Sequence, residues 1–165
     1  MKRKVNVFKI SSEDRPKNSL NYMFYFADPL KVIRNFLLIW VAKYIPSLQL
    51  KRILLRGTGM KIGKNVSIGL CATFDIFFPE LIEIGDNTVI GYDAVVLAHE
   101  FLVGEIRVGK VVIGKDVVIG ANSTILPGIE IGDRSIVSAM SLVNRDVPSD
   151  VMVGGIPARL IKILK

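Results

Sequence analysis

VIGKDVVIGANSTILPGIEIG, residues 112–132, sets an isoleucine at every sixth position: Ile113, Ile119, Ile125 and Ile131, three of them followed by glycine. An amphipathic helix repeats near 3.6 residues and a half-buried strand at 2. Six is a multiple of two, so each repeat can be a short strand closed by a turn, with alternate residues inward. The beat runs in both directions. Ile62, Ile68 and Phe74 keep it, Ile84, Ile90 and Val96 keep it again, and Val137 and Val143 prolong the series begun at Ile113. Four residues beyond most anchors stands a small or β-branched residue: Val66, Ala72, Thr88, Ala94, Val117, Ser123, Ser135 and Ser141. Between these positions fall Asn65, Asn87, Asp93, Asp116 and Asn122, types that tolerate the left-handed backbone of a tight corner. Three such edges close one triangular coil of about 18 residues, and coils stack roughly 4.8 Å apart through parallel ladders. The predicted fold is therefore mainly β, a parallel β-helix around a column of aliphatic side chains.

Breaks in the phase locate insertions. Phe74 to Ile84 is a step of ten, which places about four extra residues near Pro79. Val96 to Ile113 is a step of seventeen, so a loop near residues 102–112 is expected to leave the solenoid. Loops thrust out of a repeat scaffold are frequent places for function. His99, the single histidine of the chain, stands just before this one.

The chain divides into residues 1–56, a basic N-terminal arm with one or two amphipathic helices; 57–153, the β-helix; and 154–165, a C-terminal tail open to a helix. In the arm, Asp28 and Pro29 read as a helix start, and Pro46 ends the run. Leu30, Ile33, Leu37, Trp40, Val41 and Tyr44 mark one face of that helix, and LQLKRILLR reads as a second. The apolar run FLLIWVA is too short to span a bilayer.

The 165 residues carry a net charge of +7, unevenly spread. Residues 1–56 hold twelve Lys/Arg against three Asp/Glu, a net +9, while the remainder is slightly acidic. A basic excess confined to one segment argues against nucleic-acid binding by the whole fold. Two uses of the arm are open: capping the end of the β-helix, or lying on an anionic membrane. One cysteine, Cys71, excludes an internal disulfide framework. The first twenty residues lack the apolar core of a secretory signal, so a cytoplasmic protein is expected, with peripheral contact at the inner membrane surface as an option.

VIGKDVVIGANSTILPGIEIGDRSIVSAMSLVNRDVPSDVMVGGIPARLIK, read in order and in phase, resembles the C-terminal half of the hexapeptide-repeat acyltransferases. The match is nearest to the galactoside, maltose and xenobiotic acetyltransferase branch and covers roughly residues 57–162. The resemblance implies a left-handed β-helix, a homotrimer, and acetyl-CoA bound in a cleft between subunits as the acyl donor, with no metal. It implies His99 as general base at the start of the extruded loop. It further implies contacts to the cofactor thiol near Ala121, to the pantetheine arm at Ala139, to phosphates at Asn144 and Arg145, and to the nucleotide end at Arg159 and Lys162. Val118 stands where the branch commonly has tryptophan, and no counterpart of its acceptor-holding asparagine is found near Cys71 or Ala72.

The chemistry fits those residue types. Acyl transfer from a thioester needs a base for the acceptor proton and a proton for the leaving thiolate, and neutral imidazole can supply both. The acceptor is expected to be a small hydroxyl- or amine-bearing molecule, a saccharide first. Glu100 is an inviting partner for His99, but adjacent strand residues point to opposite sides. As a corner residue, His99 is expected to matter little to the fold. One histidine cannot build the three-histidine metal site of the γ-class carbonic anhydrases that share this solenoid. The alternative function is a catalytically silent trimeric scaffold, which would have no need of His99 or of the cofactor cations.

Overall fold

The computed structural model describes residues 3–10 and 18–164. Four complete coils follow one another. The first is built from Lys61–Ile62, Ser67–Ile68 and Thr73–Phe74, and the second from Ile82–Ile84, Val89–Ile90 and Val95–Val96. The third uses Val111–Ile113, Val118–Ile119 and Thr124–Ile125, and the fourth Glu130–Ile131, Ile136–Val137 and Leu142–Val143. Parallel pairing stacks the sixth-position anchors on three faces. Ile62, Ile84, Ile113 and Ile131 stack on the first, and Ile68, Ile90, Ile119, Val137 and Val153 on the second. Phe74, Val96, Ile125 and Val143 stack on the third. All of these anchors are buried, so the beat in the sequence is the core of the molecule.

The inward small residues are buried as well, four of them polar. Each hydroxyl is satisfied by a neighbouring carbonyl: Thr88 Oγ1 donates to Gly114 O (2.8 Å), Ser123 Oγ to Ser138 O (2.9 Å), Ser135 Oγ to Pro148 O (2.6 Å) and Ser141 Oγ to Ser138 O (2.6 Å). That is why Ser and Thr can stand inside an aliphatic column. Asn65, Asn87, Asp93, Asp116 and Asn122 occupy corners with φ between 54° and 57°. Cys71, Arg134 and Met140 do too, at 62°, 57° and 57°. Their residue types do not announce a left-handed corner; the stacking of coils imposes it. At Gly120 a Cβ would run into the backbone nitrogen of Ala139 on the next coil, so glycine is what lets the two corners close.

The open end of the solenoid is covered by α1 (Pro29–Tyr44) and α2 (Leu48–Gly57). Asp28 caps α1 by accepting from Leu30 N and Lys31 N (2.8 and 3.1 Å), and Ser47 caps α2. Leu55, Ile39 and Ala42 join the core of the β-helix. The first coil has no preceding coil to bond its outer carbonyls, the liability of any sheet edge. Basic side chains of α2 meet them. Lys51 Nζ donates to Gly69 O (2.7 Å), Arg52 Nη1 to Val66 O (2.9 Å), and Arg56 to Ile62 O and Gly63 O (both 2.8 Å through Nη2). Lys51 is wholly buried, and that burial pushes its ammonium below the usual lysine range, against a smaller opposing pull from Cys71. Part of the basic excess of the arm thus serves to close the β-helix.

The apolar stripe of α1 faces away from the β-helix, and the opposite face of the helix does the capping. Val32, Asn35, Ile39 and Ala42 are buried, while Leu30, Ile33, Leu37, Trp40, Val41 and Tyr44 are exposed. The inward face is small and partly polar because it sits against turns: Asn35 Nδ2 donates to Ile76 O (3.0 Å).

Three further segments differ from expectation. The loop placed near 102–112 begins earlier and is an antiparallel hairpin of His99–Phe101 and Glu105–Val108. A strand in the arm, Asn6–Lys9, adds to its outer edge. Val111–Ile113 already belongs to the third coil. The tail, read as open to a helix, instead turns at 155–158 and runs back as strand Arg159–Ile163, antiparallel to Val151–Gly154. The last strand of the solenoid offers an unpaired edge, and the Leu, Ile and Ile of this segment suit it better than a short solvated helix would.

Candidate active site

The two insertions meet at one corner. Phe74 pairs with Val96 in parallel register, so Asp75 lies one coil beneath Leu97, two residues before His99. His99 Nδ1 is 2.5 Å from Asp75 Oδ2. The Asp75 side chain is wholly buried and that of His99 is 14% exposed. The same Oδ2 accepts from Ala98 N (2.8 Å), and Oδ1 accepts from Phe77 N and Phe78 N (both 2.9 Å). Four N–H donors therefore surround one carboxylate. An ionised carboxylate only accepts, so the shared proton belongs to Nδ1 and the neutral ring carries its lone pair on Nε2. No hydrogen bond engages Nε2 among the described residues.

Aromatic rings hold the imidazole. Phe77 and Phe101 meet it edge-on, each with centroids 4.8 Å away, and Phe78 stands at 6.0 Å. Phe77 in turn shares a buried cluster with Ala27 and Val32, which ties α1 to the rings around His99. The side chain is a packed strand residue, and the expectation that it matters little to the fold is corrected. Glu100 points away from it and pairs with Arg3 at 2.8 Å.

Asp75 is the residue that sequence reasoning missed. It had a signal: it follows an anchor directly, at the point where the beat breaks. An acidic residue there can turn the chain by accepting its own i+2 and i+3 amides. Counting one coil forward would have placed it beside the loop that carries His99.

The other site residues fall into two groups. Asn144, Arg145 and Arg159 line one pocket of about 320 Å³ at the far end of the solenoid, together with Pro148 and Ala158. Asn144 Oδ1 is buried without a hydrogen-bond partner among the described residues. Lys162 is on the same C-terminal strand, opposite Met152, outside that lining. Ala121 and Ala139 stand on successive coils at another corner, linked through Met140 N–H to Ala121 O (2.9 Å). That corner begins the third face, whereas His99 and Asn144 lie beyond its end. Within one chain the structure does not bring Ala121 and Ala139 to His99. Among the described residues no three His, Cys, Asp or Glu side chains gather as a metal site.

Comparison with known proteins gives the family. The family model described as bacterial transferase hexapeptide (six repeats) matches residues 110–145. YvoF of Bacillus subtilis, provisionally named an acetyltransferase, is 50% identical over 145 residues, covering 87% of this chain and 84% of its own. The galactoside O-acetyltransferase of Escherichia coli is 33% identical over 111 residues, 61% of this chain and 55% of that one. The crystal structure of the hexapeptide-repeat acetyltransferase VCA0836 of Vibrio cholerae, complexed with acetyl coenzyme A, superimposes with a TM-score of 0.70 at 27% identity, covering 82% and 88% of the two chains. The β-helix is of the left-handed hexapeptide type. The chain belongs to the hexapeptide-repeat acetyltransferases, closely related to the galactoside, maltose and xenobiotic acetyltransferase branch.

Proposed function

We propose that the protein transfers an acetyl group from acetyl-CoA to a hydroxyl or amine of a small acceptor, a saccharide first, by direct attack with His99 as general base. The observation that carries this reading is the His99–Asp75 pair, a single imidazole held in one tautomer by a buried carboxylate. Nε2 takes the acceptor proton as the acceptor oxygen or nitrogen bonds to the thioester carbonyl carbon. The tetrahedral adduct then collapses, the C–S bond breaks, and the thiolate recovers the proton from Nε2. Asp75 holds the ring and balances the imidazolium between those steps. No step requires a metal. A silent scaffold would need Asp75 for the Phe77, Phe78 and Ala98 amides but not for the imidazole.

The cofactor contacts run along the solenoid axis. Val96, Ile125 and Val143 lie on successive coils, so Asn144 and Arg145 stand two coils beyond His99, about 10 Å away at the usual strand spacing. Arg159 lies beyond them. That order suits a thiol at His99 and phosphates at the far pocket. Ala121 and Ala139 sit across the face from His99, so a complete site uses the corner of a neighbouring copy, and a closed homotrimer satisfies this symmetrically. Peripheral membrane contact through the N-terminal arm completes the reading.

The test is thiol release from acetyl-CoA across sugars, amino sugars and amines, with light scattering to count subunits. No release above hydrolysis on any acceptor, or a monomer at micromolar concentration, would contradict it. Arg145→Ala and Arg159→Ala are each expected to weaken coenzyme A binding by about 1–3 kcal/mol, the worth of a charge-assisted contact. Their kcat at saturating cofactor should stay close to that of the unmutated protein, and calorimetric titration against initial rates separates the two effects.

A further inference from the structure

The outer face of α1 is apolar and bare. Seven residues of this helix, Leu30, Ile33, Phe36, Leu37, Trp40, Val41 and Tyr44, are 38–78% exposed. At 3.6 residues per turn they form one arc about 140° wide. Arg34 borders the arc on one side and Lys43 on the other. Trp40 and Tyr44 pack edge-to-face within it, centroids 6.0 Å apart, a pair of the kind enriched at the membrane–water boundary. An exposed stripe this large on a folded chain needs a partner.

Charge says which partner. From Pro29 to Phe74 the sequence contains eight Lys and Arg and no Asp or Glu. Arg34 donates to the neutral Asn35 amide, and Arg52 and Arg56 to carbonyls. Lys43 lies over the Tyr44 ring. None of these four is ion-paired among the described residues; Arg34 and Lys43 carry their charges at the borders of the stripe, while Arg52 and Arg56 stand on α2 against the first coil. No described helix is long and apolar enough to cross a membrane. A wide apolar arc with cationic borders suits a helix lying in the boundary plane, its rings in the acyl layer and its cations among anionic headgroups.

We propose that the outer face of α1 docks on an anionic lipid bilayer. Its inner face carries Val32, which packs on Phe77, the ring that meets His99. One helix diameter, about 10 Å, therefore separates the bilayer from the rings around His99. The acceptor that this geometry serves is a hydroxyl or amine presented at the membrane surface, such as a lipid-linked saccharide. This consequence rests on the acetyl-transfer reading; the docking itself does not.

Flotation of the full chain with phosphatidylcholine vesicles, with and without phosphatidylglycerol, tests the docking. Binding to the anionic vesicles alone is expected, weakening as salt is added. Trp40 is the single tryptophan, and its emission should move to the blue on binding. Ile33→Ser with Leu37→Ser, and separately Arg34→Glu with Lys43→Glu, should each lower vesicle affinity at least tenfold. Turnover on a soluble acceptor should be unchanged, which separates failure of docking from failure of acetyl transfer. No flotation of the unmutated protein at low salt would overturn the proposal, as would variants that float equally well. Loss of oligomeric state in Ile33→Ser with Leu37→Ser would overturn it too, since a second copy of the chain would then be what covers the face.

Discussion

His99→Ala is expected to lower kcat by about 10²–10⁴, the usual worth of a positioned proton-transfer group. Coenzyme A binding should be nearly unchanged, because Asn144, Arg145 and Arg159 lie at the far end of the solenoid. The variant also removes one of four donors from a buried carboxylate and a ring packed between Phe77 and Phe101. A stability loss of about 1–3 kcal/mol should accompany the kinetic effect. Steady-state rates below the melting transition, with calorimetric titration of coenzyme A, separate the two. Near-normal turnover of His99→Ala on the true acceptor would remove the mechanism whatever the acceptor is.

Asp75→Asn is the second large effect, about 10² in kcat. The single amide oxygen of Asn can serve the Phe77 and Phe78 amides or the Ala98 amide and the imidazole, but not both sets. If the oxygen stays with Phe77 and Phe78, the NH₂ faces His99 and the ring must accept at Nδ1. The proton then sits on Nε2, and the base is lost. The chain has a single histidine, so nitrogen NMR of the labelled ring reads the tautomer without assignment ambiguity. The unmutated protein should show Nδ1–H and the variant Nε2–H. A variant that loses stability and keeps the Nδ1–H tautomer and its kcat would make Asp75 a structural residue only.

The sequence was strongest where one physical requirement repeats. Every coil must bury an anchor and turn at a corner, and twelve anchors in three blocks of six-residue steps, between Ile62 and Val143, therefore reported the fold. His99 was legible for a related reason, since a broken beat marks where the chain leaves its scaffold.

The arm was legible only as helix. Propensity and capping at Asp28 and Pro29 fix the start of α1, but a hydrophobic stripe does not say which way it faces. The turns beneath the helix accept Asn35 and Ala42 and leave Trp40 outside. What the helix packs against decides such a face, and residue type along the helix does not name it.

By itself the sequence determined the β-helix, the corners built on Asn and Asp, and the places where the beat breaks, because these follow from local period and residue type; the candidate base came from its place at such a break together with the family resemblance. Only the tertiary structure decided what orients that base. Asp75 and His99 are 24 positions apart, and coil stacking alone makes them neighbours. The same is true of Lys51, Arg52 and Arg56, whose charge reads as a surface feature until the first coil's orphan carbonyls come into view. Period is a property of the chain, whereas hydrogen-bond need is a property of the packed edge.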